Sequence, residues 1–283
     1  MSQMSDDHGV WAYAITAGND GADLSVLTGV AGATVRAARA AGLIVLVSDV
    51  DLAEFGEAAL RRNLEDLDWL EGVARAHHAV IEDASRLFPL LPTRLATVYS
   101  SDESMAAVLG ARREELLAAL ERVGGRVEWG VKAYAVPEAE PEAPVAAESP
   151  ASAASAGTAR GAGLAYLKRR RAQLSARTES WRAALAAARA VHAHLSAHAV
   201  LSRLHAPQSP QLSGDQRPMM LNAAYLLDAN QGTGFAAQVS AAADAHPELE
   251  VDLTGPWPPY SFTGDDGQAA DAGEDPAGTA QDA

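Results

Sequence analysis

A run of Pro, Ala, Ser and Glu from Pro137 to Ala159, PEAEPEAPVAAESPASAASAGTA, interrupts a chain of 283 residues. It has almost nothing to bury, so it cannot offset the entropy of ordering itself and reads as a flexible interdomain linker. A second stretch of the same character begins at Gly264 and carries the acidic tail. The sequence therefore predicts a first domain over 8–136, a linker over 137–159, a second domain over 160–263 and a disordered acidic tail over 264–283.

These two stretches also hold most of the charge. Glu138, Glu140, Glu142 and Glu148, with Asp265, Asp266, Asp271, Glu274, Asp275 and Asp282, give −10 of the formal −15 with no Lys or Arg among them. Such segments keep a chain dispersed and say little about a site. The chain has no cysteine, which excludes disulfides, thiol nucleophiles and thiolate metal sites. Its densest apolar run, Leu43 to Val47, has a strand's length rather than the roughly 18 residues of a membrane span. The start, MSQMSDDHGV, is acidic and lacks an apolar signal core. The expectation is a cytoplasmic protein with no membrane association.

The first domain alternates strand and helix signals. Val10 to Ile15 places Trp11, Tyr13 and Ile15 on one face, a period of two that predicts a strand. Thr34 to Ala38 and Leu43 to Ser48 flank Gly42 as a hairpin. Apolar positions from Leu60 to Ala84 recur at three and four, which predicts one long amphipathic helix over 57–87. Thr93 to Tyr99 reads as a strand, and Ser100 with Glu103 as a capping box for a helix that runs to Val123 and stops at Gly124 and Gly125. Val127, Trp129, Val131 and Ala133 alternate with Arg126, Glu128 and Lys132, giving a last strand with one packed and one wet face. One sheet under two helices is an α+β arrangement, ferredoxin-like in outline.

The second domain opens with a helix predicted over 163–204. Leu167, Leu174, Trp181, Ala188 and Leu195 repeat at seven, a coiled-coil spacing, while the companions Arg171, Thr178, Leu185 and His192 are half polar. That predicts a helical hairpin or one long packing arm. Pro207 to Pro218 is a loop, Met219 to Leu227 a strand, Phe235 to Ala245 a helix, and Leu249, Val251 and Leu253 face one way in a final strand. The C-terminal domain is thus α+β with long, coiled-coil-like helices.

Leu253 to Phe262, LTGPWPPYSF, crowds three aromatics and three prolines into a chain that is only 5% aromatic. Pro256, Pro258 and Pro259 forbid helix and central strand and hold Trp257, Tyr260 and Phe262 on a stiff ribbon. Such a ribbon either straps onto its own domain's core or presents a surface to another protein. Its place after a strand that needs covering predicts that Trp257 and Phe262 pack inward. Trp257, Pro258, Tyr260 and Phe262 are the candidate partner-contact residues.

Signals for catalysis are absent from the sequence. There is no phosphate loop, nucleophile elbow or dinucleotide fingerprint, since GTARGAG follows the linker instead of a strand. His77 lies on the apolar stripe of its helix and reads as a satisfied core imidazole, with His78 pointing about 100° away. His192, His194 and His198 lack the glutamate of a helical zinc motif and read as an exposed face. Lys168, Arg169, Arg170 and Arg171 have no aromatic stacking platform beside them, so they read as a solvated face or a landing point for the acidic linker rather than a nucleic-acid site. Glu65, Asp66 and Asp68 fall on a polar helix face and balance Arg61 and Arg62. No catalytic residue, cofactor or metal is expected, and no nucleic acid.

FGEAALRRNLEDLDWLEGVARAHHAVIE (Phe55 to Glu82), PLLPTRLATVY (Pro89 to Tyr99), GRVEWGVKAYA (Gly125 to Ala135), GAGLAYLKRRR (Gly161 to Arg171), LNAAYLLD (Leu221 to Asp228) and the ribbon together resemble the GvpL/GvpF family of gas vesicle proteins, of the actinobacterial kind. The resemblance spans both domains and omits the linker and tail. It implies a non-enzymatic accessory or minor structural component of gas vesicle formation. It also implies a cytoplasmic location at the vesicle, with the major shell protein and other gas vesicle accessory proteins as partners. The alternative is a ferredoxin-like domain protein that regulates or catalyses through a small-ligand pocket near His77, Arg94 and Tyr99.

Overall fold

The computed structural model describes residues 8–18, 21–136, 157–208 and 217–264. Most of the predicted linker and nearly all of the predicted tail lie outside these residues. The chain forms two compact units, one holding the chain up to Glu128 together with Trp257 onward, the other Trp129–Pro256. This division differs from the expected one: the first boundary falls inside the last strand predicted for the first domain, and the chain from Trp257 returns to the first unit.

In the first unit, β1 (His8–Thr16), β2 (Arg36–Ala40), β3 (Leu43–Asp51), β4 (Leu91–Pro92) and β5 (Val98–Tyr99) make a five-stranded sheet in the order β2-β3-β1-β4, with β5 also on β1. β1 is central and fully buried beyond its first residue. The β2-β3 hairpin closes between Ala40 and Leu43 through Ala41 (φ 51°) and Gly42 (φ 77°), the paired left-handed residues of a tight hairpin turn. The β1-β3 register slips between Ala12 and Ala14, which leaves Tyr13 as an extra residue. Of the strand predicted over 93–99 only β5 forms; β4 pairs just ahead of it, and Ala96 lies between the two in the left-handed region (φ 62°).

The helix predicted over 57–87 is divided into α2 (Glu57–Asn63) and α3 (Leu67–Ser85), after a one-turn α1 (Leu52–Phe55). Asp66 divides them because its carboxylate accepts the Asp68 and Trp69 amides at 3.0 and 3.2 Å, starting a new helix. Val73, His77, Val80, Ile81 and Ala84 form the buried face of α3. The helix predicted to reach Val123 is likewise two, α4 (Asp102–Ala111) and α5 (Arg113–Val123), with Arg112 out of helical geometry. The capping box lies one position later than predicted. Ser101 accepts the Ser104 amide at 3.2 Å, and Ser104 accepts the Ser101 amide at 3.1 Å. Beyond Gly124, Gly125 (φ 69°) ends α5 as the sequence predicts.

The second unit is built from β6 (Arg126–Ala135) beyond Glu128, α6 (Gly157–Ser196), β7 (Leu201–Leu204), β8 (Met219–Asp228), α7 (Gly232–Ala245) and β9 (Leu249–Trp257) up to Pro256. Its sheet runs β7-β8-β6-β9. Thus β6, assigned from sequence to the first sheet, joins the second, where Val131 and Ala133 enter a core with Ala184, Val191, Tyr225 and Phe235. Alternation reveals that a strand has a packed face without saying which core it packs on. The helix predicted to reach Leu204 stops at Ser196, and Leu201–Leu204 instead pairs antiparallel with β8. At its other end α6 takes in Gly157 to Ala159, the last residues of the predicted linker. Of the heptad residues, Ala188 and Leu195 are buried, whereas Leu167, Leu174 and Trp181 are exposed.

Candidate functional site

The first half of the ribbon, Leu253 to Trp257, is the end of β9, where Pro256 is tolerated because β9 is an edge strand of its sheet. Pro258 and Pro259 are buried, and the chain then tightens into a single 3-10 turn, Tyr260–Phe262, in which the Tyr260 amide donates to the Pro258 carbonyl at 2.8 Å. From Trp257 onward it belongs to the first unit and not, as the sequence predicts, to the domain it follows. Phe262 is 4% exposed, as expected, while Trp257 keeps 41% exposure against the expectation that it packs inward.

Three side chains of the first unit hold the turn. Glu128 accepts both the Ser261 amide and the Ser261 hydroxyl at 2.7 Å, one bond to each carboxylate oxygen. The Arg122 guanidinium donates to the Phe262 carbonyl at 3.4 Å. Tyr260 Oη lies 2.7 Å from His78 Nδ1. Burial, with the negative charges of Glu128 and Glu82 beside it, pushes the Tyr260 phenol up from its ordinary value, so the hydroxyl stays protonated. His78 Nε2 then faces Glu82 Oε2 at 3.8 Å. The His78 ring also meets Trp257 edge-on, with centroids 5.7 Å apart and planes at 63°. The arrangement fixes the base of an exposed indole. It supplies neither a nucleophile nor a base–acid pair facing a cavity.

Two of these anchors escape sequence reading. Glu128 falls at a position predicted to be wet, yet it is buried. His78 has no role that its position on the helix predicts beyond pointing away from His77. Neither carries a local signal, because their partners lie 133 and 182 positions away in the chain.

His77 occupies the opposite environment. Its Nδ1 accepts the Trp11 indole N–H at 3.0 Å, its Nε2 faces the Thr93 carbonyl at 3.3 Å, and its ring stacks on Tyr13 at 5.5 Å. Burial pushes its pKa down to about 4, so it is a neutral core imidazole. Arg94 and Tyr99 do share a groove of about 650 Å³, with Leu91, Val108, Arg112 and Leu116 in its walls, but His77 is not among the lining residues. Of the three residues expected around a ligand pocket, two come together.

In the second unit His192 Nδ1 pairs with Tyr225 Oη at 2.8 Å, His194 Nε2 with Gln238 Oε1 at 3.0 Å, and His198 Nδ1 with the His194 carbonyl at 2.9 Å. Each therefore has a separate partner. Among the described residues no group of three His, Cys, Asp or Glu side chains is placed to hold a metal ion. No helix among them is long and apolar enough to cross a membrane.

A family model described as "Gas vesicle synthesis protein GvpL/GvpF" matches residues 9–264, both units and the ribbon included. The chain belongs to the GvpL/GvpF family. Gas vesicle protein L of Streptomyces sp. (strain CB03234) is 41% identical over 92% of this chain and 95% of its own. Gas vesicle protein F2 of Halobacterium salinarum is 25% identical over 92% and 93%. The crystal structure of GvpF from Anabaena sp. PCC7120 superposes with a TM-score of 0.60 at 21% identity, covering 91% of this chain and 96% of that one. The GvpF structure from Microcystis aeruginosa gives 0.61 at 19%, covering 90% and 99%. These likenesses show the mixed helix and antiparallel sheet fold, and membership of the GvpL/GvpF family gives the protein a role in gas vesicle formation.

Proposed function

We propose that this GvpL/GvpF protein is a cytoplasmic, non-enzymatic assembly factor that binds the major gas vesicle shell protein and positions it for entry into the growing shell. The observation that carries this reading is Trp257, a large apolar side chain left 41% exposed at the end of β9, just before a turn that Glu128, Arg122 and His78 hold in place. An aromatic that loses little freedom on binding is the kind of residue that anchors a protein interface. Within the predicted contact set, Trp257 and the half-buried Tyr260 meet the shell subunit, and Pro258 and Phe262 act from beneath as anchors. The first unit serves as a ferredoxin-like platform for this turn. Binding of a small ligand in the Arg94 and Tyr99 groove is disfavoured as the main activity, because the one imidazole expected there is held in the core.

The test is co-purification of the full-length chain with the major shell protein, using wild type and Trp257→Ala. Association with the shell protein, weakened about tenfold or more by the substitution, is the expected result. No association, together with normal vesicles in a strain lacking this protein, overturns the reading.

A further inference from the structure

Helix α6 has two different halves. From Ala184 it is packed, with Ala184, Ala187, Ala188, Val191 and Leu195 buried. From Leu167 to Glu179 every residue is exposed, and the apolar side chains of this half, with Trp181 just beyond, stand in solvent: Leu167 at 63%, Leu174 at 55% and Trp181 at 50%. With spacings of seven, these three fall within roughly 40° of one another around the helix, so they form one ridge. A hydrophobic ridge without tertiary cover is a contact surface awaiting an occupant.

The charges beside the ridge identify that occupant. Between Leu167 and Arg182 the chain carries Lys168, Arg169, Arg170, Arg171, Arg177 and Arg182 against a single carboxylate, Glu179, in a protein whose net charge is −15. Arg170 and Arg177 lie roughly 40–60° to one side of Leu174, Arg171 and Arg182 roughly 60–80° to the other, and Glu179 roughly 140° away, on the far face. Arginine thus lines both flanks, the positions that select a partner's charge in a helical pair. The Glu179 carboxylate accepts from Ser175 at 3.1 Å on that far face. A second copy of the same strip would set arginine against arginine, which opposes self-pairing.

We propose that the exposed half of α6 is a docking strip for an acidic amphipathic helix of another protein, with Leu167, Leu174 and Trp181 as the apolar seam and Arg170, Arg171, Arg177 and Arg182 as the flanking charges. The strip belongs to the second unit and does not involve Trp257, so its success or failure is independent of the shell-binding reading.

The probe is a synthetic heptad peptide with Leu at the seam and Glu at the flanks, compared with the same peptide carrying Lys. Binding to the full-length chain is followed by fluorescence anisotropy of a label on the peptide. The Glu peptide is expected to bind about tenfold or more tightly than the Lys peptide. The triple change Arg170→Glu, Arg171→Glu, Arg177→Glu is expected to reverse that preference, and Leu174→Ser with Trp181→Ser to remove binding of both. All five positions are exposed, and unchanged thermal unfolding by circular dichroism verifies that each variant is folded. A photo-crosslinker at Leu174 in vesicle-forming cells is expected to label a helix with acidic flanks in another protein, and to lose it in the triple variant. Equal or absent binding of the two peptides overturns the proposal. So does a cross-link that maps to a second copy of this chain, or binding confined to anionic lipid vesicles.

Discussion

His77 and His78 are adjacent on α3, yet the helix sends one into the core and the other under the ribbon. His77 is enclosed by Trp11 and Tyr13, with both ring nitrogens facing partners within the same unit. His78 shares a hydrogen bond with Tyr260, far along the chain, and supports a tryptophan that solvent can reach. A rotation of about 100° per residue suffices to separate a stabilising role from a presenting one. The contrast teaches that the inner face of α3 should respond to substitution mainly through stability, and its outer face mainly through binding.

The largest effect is expected on the inner face. Trp11→Ala removes a fully buried indole and the donor to His77, and is expected to destabilise the protein by about 3–5 kcal/mol, read from the denaturant midpoint. Next comes the pH response of His77. Its folded pKa of about 4 lies below the ordinary 6.5, so both states are neutral above 6.5 and no stability is lost there. Between 6.5 and about 4 the unfolded chain binds a proton that the native state refuses, so stability falls as pH falls and levels off below that window. The wild type is expected to lose roughly 3 kcal/mol more than His77→Gln across the window. Equal pH slopes for the two proteins would refute the neutral core imidazole.

The ribbon seated against the outer face should give smaller numbers. Glu128→Ala removes both bonds to Ser261 and is expected to cost about 2 kcal/mol, with loss of hydrogen-exchange protection at the Ser261 amide. Trp257→Ala should cost only about 1 kcal/mol, well below Trp11→Ala, because the ring is 41% exposed and packs only partly, against His78. If the same substitution weakens shell-protein binding, the outer face is sharpened as a presenting surface. A Trp257→Ala variant that unfolds readily would instead make both faces structural and break the comparison.

The legibility of the chain follows the range of the interactions. The β2-β3 hairpin is readable from Leu43 to Ser48 and Gly42, since the turn and its flanking strands are contiguous. The heptad at Leu167, Leu174, Trp181, Ala188 and Leu195 is readable too, but one half of it packs and the other does not. The break at Asp66 was hidden because the apolar period continues through it while a local cap overrides the period. The candidate site was half legible. The aromatic and proline density of the ribbon marked it, whereas Glu128, Arg122 and His78 became its seat only through contacts more than a hundred residues long in sequence.

By itself the sequence determined the strand and helix periods, the unburiable stretch that interrupts the chain, the stiffness of the ribbon and the family. Those follow from side-chain volume, backbone restriction and spacing, which are properties of neighbours in the chain. The tertiary structure alone decided that β6 joins the second sheet, that the ribbon from Trp257 onward belongs with the first unit, and that Trp257 rather than Phe262 is left outside. A packed face or a rigid aromatic can be satisfied by more than one surface, and only the folded arrangement selects which one covers it.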